Sequence, residues 1–304
     1  MKLTNIKYGY FDGISTTCGS ELEKTTKDVV WAKENDKELW ELTLGLKLNQ
    51  GRYSQQVCEH FGWEEYNVGV TAGAHDRLFR NVYDYIFRHP SKSKETYFVI
   101  CLGCIYLKEY FSHNENRFRR DINWDYSKGN AWRDVHTEVH YEYTKDKKMF
   151  GDLLEEQNVD YFQLVKDGYW KIPVESYLRL GRDLLGLQSY FKQNNLNYLF
   201  IDDYTGLLSR DLKQLHEIDK VEKQKIKMYD FPNEQKEKYY HETNLKEMFL
   251  GYINELDEDN ILRPEGCDSI IDLQKKYNDF SQLGHPTKLV VDKLSKEIVK
   301  HIEE

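Results

Sequence analysis

The sequence predicts an α/β fold built on a parallel sheet with helices on both faces. Three observations point there. Short runs with β-branched and aromatic centres alternate with longer stretches of helical periodicity, the pattern of successive strand–helix–strand units. Glu95 to Leu102 is apolar nearly throughout, which suits a strand buried on both faces. Turns of small residues follow the ends of the early strands, the edge at which open parallel sheets bind ligands. No repeat, low-complexity tract or linker divides the chain, so residues 1–304 read as one domain with a large insertion.

Lys7 to Phe11 is the first strand, and it runs into Gly13-Ile-Ser15-Thr-Thr-Cys-Gly19. Glu21 and Leu22 then stand where a helix could begin. The plain reading is a strand and a polar turn; the sharper one is a nucleophile, Ser15, held at a strand end between two glycines. Asp36 to Leu48 and Tyr53 to Phe61 carry helical patterns, the second closed by Gly62 in the C-cap role. Glu64 to Val70 is a short strand, followed by the turn Thr71-Ala-Gly-Ala74. Asp76 to Phe87 has Leu78, Phe79, Val82, Tyr83 and Ile86 at helical spacing, with His89-Pro90 as its stop.

After the Glu95–Leu102 strand, order fades between about 112 and 172, a charged, Trp- and Tyr-rich stretch read as the insertion, partly helical between Trp132 and Gln157. Pro173 to Asn194 is a helix with Pro173 in its first turn and Leu178, Leu180, Leu184, Leu185, Leu187 and Phe191 on its apolar side. Asn197 to Asp202 is the next strand. Leu207 to Glu247 reads as exposed helices around Pro232. Two helices close the chain, Asp268 to Tyr277 and Pro286 to Ile302, the latter with Leu289, Val290, Leu294, Ile298, Val299 and Ile302 on one stripe.

Composition narrows the function classes. The net charge of -9, from 43 basic and 52 acidic residues, argues against a nucleic-acid binder, and the compact cluster Arg117, Arg119, Arg120 reads as a solvated face. No apolar run approaches the roughly 20 residues of a membrane span, and Met1 to Tyr8 lacks the apolar centre of a signal peptide. The expectation is a cytoplasmic protein. Five cysteines, an odd number and scattered, make no disulfide framework; Cys101-Leu-Gly-Cys104 lacks a second pair to complete a zinc site and reads as structural thiols. The 23 tyrosines suit half-buried surfaces as well as ordinary core and rim packing.

Strand ends are where chemistry is expected: Ser15 after the first, Gly69-Val-Thr-Ala-Gly73 after the second, Gly103 after the third, and Gly284-His285-Pro286-Thr287 before the last helix. A serine early and a histidine late suit acyl transfer, with His285 taking the hydroxyl proton and backbone N–H groups of the glycine turns holding the oxyanion.

At these residues the chain resembles the SGNH (GDSL-type) serine hydrolase superfamily, in a divergent branch common in viral and environmental sequences. The first block of that branch, Gly-x-Ser-x-Thr-x-Gly-x-Glu-Leu, is matched by Gly13, Ser15, Thr17, Gly19, Glu21 and Leu22. The second, roughly Asn-x-Gly-x-x-Gly-Ala/Ser-x-Asp-Arg, is matched by Asn67, Gly69, Gly73, Ala74, Asp76 and Arg77. The stretch Leu185-Gly-Leu-Gln-Ser-Tyr-Phe-Lys192, followed by Asn197-Tyr-Leu-Phe-Ile201, is similar too. The resemblance leaves out 112–172 and 205–260. It implies a three-layer α/β/α flavodoxin-like sandwich with about five parallel strands. It also implies a metal- and cofactor-free serine esterase, with Ser15 as nucleophile, His285 as base, and an oxyanion hole of the Ser15 and Gly73 backbone N–H groups plus a side chain. Asn67, Asp76 and Arg77 become substrate-binding residues.

The chain departs from that pattern in four places. Ile14 replaces the Asp before the serine, although Asp12 is close; the third strand ends Cys101-Leu-Gly103-Cys104 with no amide; His75 stands where Asn is usual; and Gln282 replaces the acid three residues before the histidine. Asp279 is the substitute acid if its loop folds back, and His75 the substitute oxyanion donor.

Rival sites are weaker. His136 and His140 are four apart, but Glu138 is not directly after the first, as a zinc protease requires, and the pair reads as surface. Asp202-Asp203 suits Mg²⁺, yet no phosphate-cradling glycine loop accompanies it. The expected function is an esterase or deacetylase acting on a small-molecule or carbohydrate ester, such as an O-acetylated sugar. The alternative is a catalytically degenerate fold serving as a carbohydrate-binding or virion-associated structural protein. The aromatic insertion, with Trp124, Trp132, Tyr141, Tyr143 and Trp170, fits either as a lid or as a sugar-stacking surface.

Overall fold

A computed structural model describes residues 3–19, 50–69, 75–103, 107–112, 117–122, 174–203, 208, 245–280 and 285–304. For Ser15, Cys18, 107–112, 117–122, 174–177 and 245–246 the description covers the backbone. The predicted helix at Asp36–Leu48, the turn Thr71–Ala74, most of the insertion and the charged stretch up to residue 244 lie outside the described residues.

The strands are β1 (Tyr8–Asp12), β2 (Glu64–Asn67), β3 (Thr96–Leu102), β4 (Leu107–Ser112), β5 (Arg117–Ile122), β6 (Asn197–Asp202) and β7 (Ile261–Leu262). Five of them form one sheet in the order β2-β1-β3-β6-β7, every pair parallel. Counted among themselves the five run 2-1-3-4-5, the flavodoxin-like order, whose switch point lies between β1 and β3. The helices are α1 (Ser15–Cys18), α2 (Tyr53–Phe61), α3 (His75–Arg88), α4 (Pro90–Ser93), α5 (Val174–Gln193), α6 (Leu245–Asn254), α7 (Ile270–Tyr277) and α8 (Lys288–Glu303).

Alternation along the strands divides the core into two. Tyr10, Phe98, Ile100, Leu102, Tyr198 and Phe200 point to one face, where α3, α5 and α6 cover them with Leu78, Val82, Leu184, Leu187, Phe249 and Ile253. Phe11, Tyr97, Val99, Cys101, Leu199 and Ile201 point to the other, under Tyr53 and Val57 of α2, Ile270 and Leu273 of α7, and Val290, Leu294 and Ile298 of α8. The protein is therefore a three-layer α/β/α sandwich. Every side chain of β3 is buried, which is why that strand carries no alternating polar residues.

Local chemistry sets the helix ends. Gly62 closes α2 with φ 69° and its N–H on the Cys58 carbonyl. Ser269 opens α7 by accepting from the Asp272 N–H at 3.2 Å while its hydroxyl donates to the Asp272 carboxylate at 2.8 Å. α2 and α8 lie side by side and run the same way. Gln56 donates to Asp292 (2.8 Å), Ser295 donates to Gln56 (2.6 Å), and His60 meets Glu303 (2.9 Å), so numbers rise together along both helices. Because the first turn of α2 sits at the ends of β1 and β2, the start of α8 lies at that same carboxyl edge.

Several elements differ from expectation. The first helical turn begins at Ser15 itself, ahead of Glu21. β4 and β5 pair as an antiparallel hairpin where the pattern fades, a short strand pair whose charges hide its period. Leu245–Asn254 is a packed helix burying Phe249 and Ile253, not the end of an exposed stretch. On α8, Leu289 is exposed and Val291 takes its place in the core. Among the described residues no helix is long and apolar enough to cross a membrane.

α5 and α6 meet at Gly181, where an added Cβ would lie 2.9 Å from the Tyr252 Cβ. Gly→Ala inside a helix ordinarily stabilises by about 1 kcal/mol, but overpacking costs about 1–3 kcal/mol. Gly181→Ala is therefore expected to destabilise, read as a lower urea midpoint; a higher midpoint would show that the two helices can part cheaply.

Candidate active site

Three strand ends converge on the turn that begins at Gly13. A Cβ on Gly13 would stand 2.2 Å from the Thr17 hydroxyl and 2.8 Å from Cys101 Cβ, so only glycine lets β1 turn against β3 here. A Cβ on Gly103 would meet the Ile14 side chain at 2.2 Å, which presses the β3 end equally close. From β2, the Asn67 amide donates to the Thr17 carbonyl and to the Ser54 hydroxyl, both at 2.8 Å, and accepts from the Gly69 N–H. Asn67 thus ties the turn to two neighbouring elements, and its polar atoms face protein.

On the α3 side the turn rests on a buried ion pair. Arg77 donates from Nη2 to the Asp12 carboxylate at 2.6 Å and to the Gly13 carbonyl at 2.9 Å, and from Nη1 to the Val68 carbonyl at 2.9 Å. Asp12 also accepts from the Gly13 N–H at 2.8 Å and, at 3.3 Å, from Tyr10 and Asn81. Asp12 is fully buried, and that burial pushes its carboxyl up to about 6 against the pull of Arg77. Near neutral pH the pair is therefore charged on both sides.

On the other face the contacts are mostly uncharged. Thr17 and Tyr53 share a hydrogen bond of 2.9 Å, and the buried Cys101 lies against the same turn. Burial holds the thiol and the phenol well above their ordinary values, so both stay protonated. Thr16 donates to Asp203 at 2.9 Å. Asp203 follows β6, and burial with Asp202 beside it pushes its carboxyl up to about 7, against the Thr16 bond.

The remaining predicted site residues divide as follows. Ser15 opens α1 at the β1/β3 switch point. His285 lies two residues before the α8 N-cap, Thr287, and so at the same edge. Asp279 accepts from the Thr287 and Val290 N–H groups, both at 3.2 Å, and from the Thr287 hydroxyl, so its carboxylate closes the first turn of α8. Asp76 pairs with Arg179 at 3.5 Å, while Arg77 is buried under the turn and facing Asp12. Gly73 and Gln282 lie outside the described residues.

His75 opens α3 and is buried. Burial lowers it to about 4, so the ring is neutral near neutral pH, and its Nε2 is buried with no partner.

Sequence reasoning passed over Asp203 as anything but half of a carboxylate pair, and placed Arg77 at substrate rather than beneath the turn. A polar residue directly after a fully apolar strand was the available signal for the first. An Arg one helical turn before Asn81, on a helix facing Asp12, was the signal for the second. No family model, curated protein or solved structure matches the chain.

Removing one partner of a buried pair costs about 3–5 kcal/mol. Arg77→Met is expected to lose that much in urea unfolding, and adding Asp12→Leu should restore part; an additive double variant would mean the two residues act independently. Asp203 holds its proton more tightly folded than unfolded, so its contribution to stability falls as pH rises from about 4 to about 7. Asp12 adds to that slope up to about 6, and His75 opposes it between about 4 and 6.5. Asp203→Asn is expected to lose less stability than wild type between pH 5 and pH 8, measured by urea titration at each; equal losses would remove Asp203 from the balance.

Proposed function

We propose that this chain is a serine hydrolase of the SGNH type, an esterase or deacetylase that removes an acyl group such as acetyl from a carbohydrate or other small ester. The observation that carries the reading is the Ser15 turn: it begins at the switch point of a 2-1-3-4-5 sheet and is wedged between strand ends, with the His285 segment at the same edge.

In this reading the Ser15 hydroxyl attacks the ester carbonyl while His285 takes its proton. The tetrahedral oxyanion is held by the backbone N–H groups of Ser15 and Gly73, preorganised by the packing around Gly13. Collapse expels the alcohol, which takes the proton from His285 and leaves Ser15 acylated. Water then attacks the acyl carbonyl with His285 again as base, the Ser15–acyl bond breaks, and the Ser15 oxygen takes the proton back from His285 as the acid leaves. Asp279 contributes by holding the start of α8, and with it the approach of the His285 segment, through the Thr287 and Val290 N–H groups. Arg77 and Asn67 serve as scaffolding for the turn and not as substrate ligands.

A fluorophosphonate probe tests this directly. Ser15 is expected to carry the adduct, and Ser15→Ala to abolish labelling and cut turnover of an acetyl ester by at least about 10³-fold. A folded sample that leaves Ser15 unlabelled, with turnover indifferent to Ser15→Ala, would put the binding-protein alternative in its place.

A further inference from the structure

The Ser15 turn is anchored on its α7 side by a carboxyl group to which the mechanism above gives no part. Asp203 is 4% exposed and sits one residue past β6. Its backbone is clamped: its N–H donates to the Leu102 carbonyl at 2.8 Å, and its carbonyl accepts from the Ile271 N–H at 3.0 Å. Oδ1 accepts from the Thr16 hydroxyl at 2.9 Å, while Oδ2 is buried with no partner. An apolar side chain would remove the orphaned Oδ2, but it would leave the buried Thr16 hydroxyl without its acceptor, and an unmade buried hydrogen bond is costly. The group has a reason to be acidic only if the Thr16 bond matters.

We propose that Asp203 is a positioning residue for the nucleophile: through the Thr16 hydroxyl it fixes the first turn of α1, and so the backbone of Ser15, relative to the ends of β3 and β6. The inference rests on the reading of Ser15 as nucleophile. A rigid backbone clamp on one side and a single hydrogen bond on the other make Asp203 a fixed post to which the next residue along from Ser15 is tied. Its charge bears on the reaction as well. A negative carboxylate beside this turn opposes the negative charge that forms on the substrate oxygen, whereas the neutral acid does not. The other groups around it do not titrate in the same range or are already paired. Cys101 on β3 and Tyr53 on α2 stay protonated. Asp268, just before α7, and Asp272 on it lie against Arg263 and Lys275. Asp202 holds the Leu208 N–H at 3.0 Å.

The rate of Ser15 labelling by a fluorophosphonate, followed from pH 5 to pH 9, tests this. Asp203→Leu and Thr16→Val are each expected to slow labelling by about 10- to 100-fold, as a misplaced reacting group does, with the double variant no slower than either single one. Asp203→Asn keeps an oxygen for Thr16 and is expected to restore most of the rate at pH 6. Wild type should lose rate above about pH 7, where Asp203 ionises, and Asp203→Asn should not. Labelling of Asp203→Leu at the wild-type rate, or an unchanged alkaline limb in Asp203→Asn, overturns the proposal. Hydrogen exchange of residues 13–19 reads the order of the turn without any need for labelling, so a wild-type protein that never labels sinks the hydrolase reading alone. Exchange there should quicken in Asp203→Leu and Thr16→Val while α5 keeps its protection, and unchanged exchange overturns the positioning role.

Discussion

Arg77 and Asp12 form the contact on which the rest of the site depends. One guanidinium reaches the carboxylate at the end of β1, the carbonyl that begins the turn, and the carbonyl that follows β2. The planar fork of Arg suits this task and a Lys ammonium would not, because three acceptors in fixed directions must be met at once. A buried pair is a poor source of net stability, since desolvating two charges offsets most of their attraction. Its value here is geometric. The pair sets where β1 stops, how α3 approaches the sheet, and where the loop after β2 lies.

The turn is therefore held from two sides by different chemistry. The α3 side supplies a charged, directional clamp; the α2 and α7 side supplies hydroxyls, a thiol and one carboxyl in low-dielectric surroundings. Between them the chain has almost no room, as the contacts around Gly13 and Gly103 show. A catalytic turn benefits from such over-determination, because a group already in place needs no reorganisation during reaction.

Much of this was legible in the residues, for reasons that also mark the limits. β3 declared itself because a strand buried on both faces must be apolar throughout, and α5 because its Leu180, Leu184, Leu187 and Phe191 repeat at helical spacing. β7 did not, because two residues carry no periodicity. α6 hid behind the charged stretch that precedes it. Glycine spacing marked the Ser15 turn correctly, since close backbone approach leaves a glycine signature. What a polar side chain touches is much fainter: Arg77 serves Asp12 across 65 residues, and Asp279 serves a helix terminus that the sequence pattern alone does not place beside it.

The parallel seating of α8 beside α2 has a consequence for how this chain reaches its native state. Gln56 meets Asp292 and His60 meets Glu303 across separations of 236 and 243 residues. Contacts so distant form late, because the entropy of loop closure is lost before any contact compensates it. On a ribosome β1, β2 and β3 can pair long before α8 emerges, with only α2 among the described helices on that face of the sheet. The Ser15 turn would be in place at that stage while His285 was not. On the proposed reading of Ser15 and His285 as partners, a half-made chain would stay chemically silent until the last helix arrived.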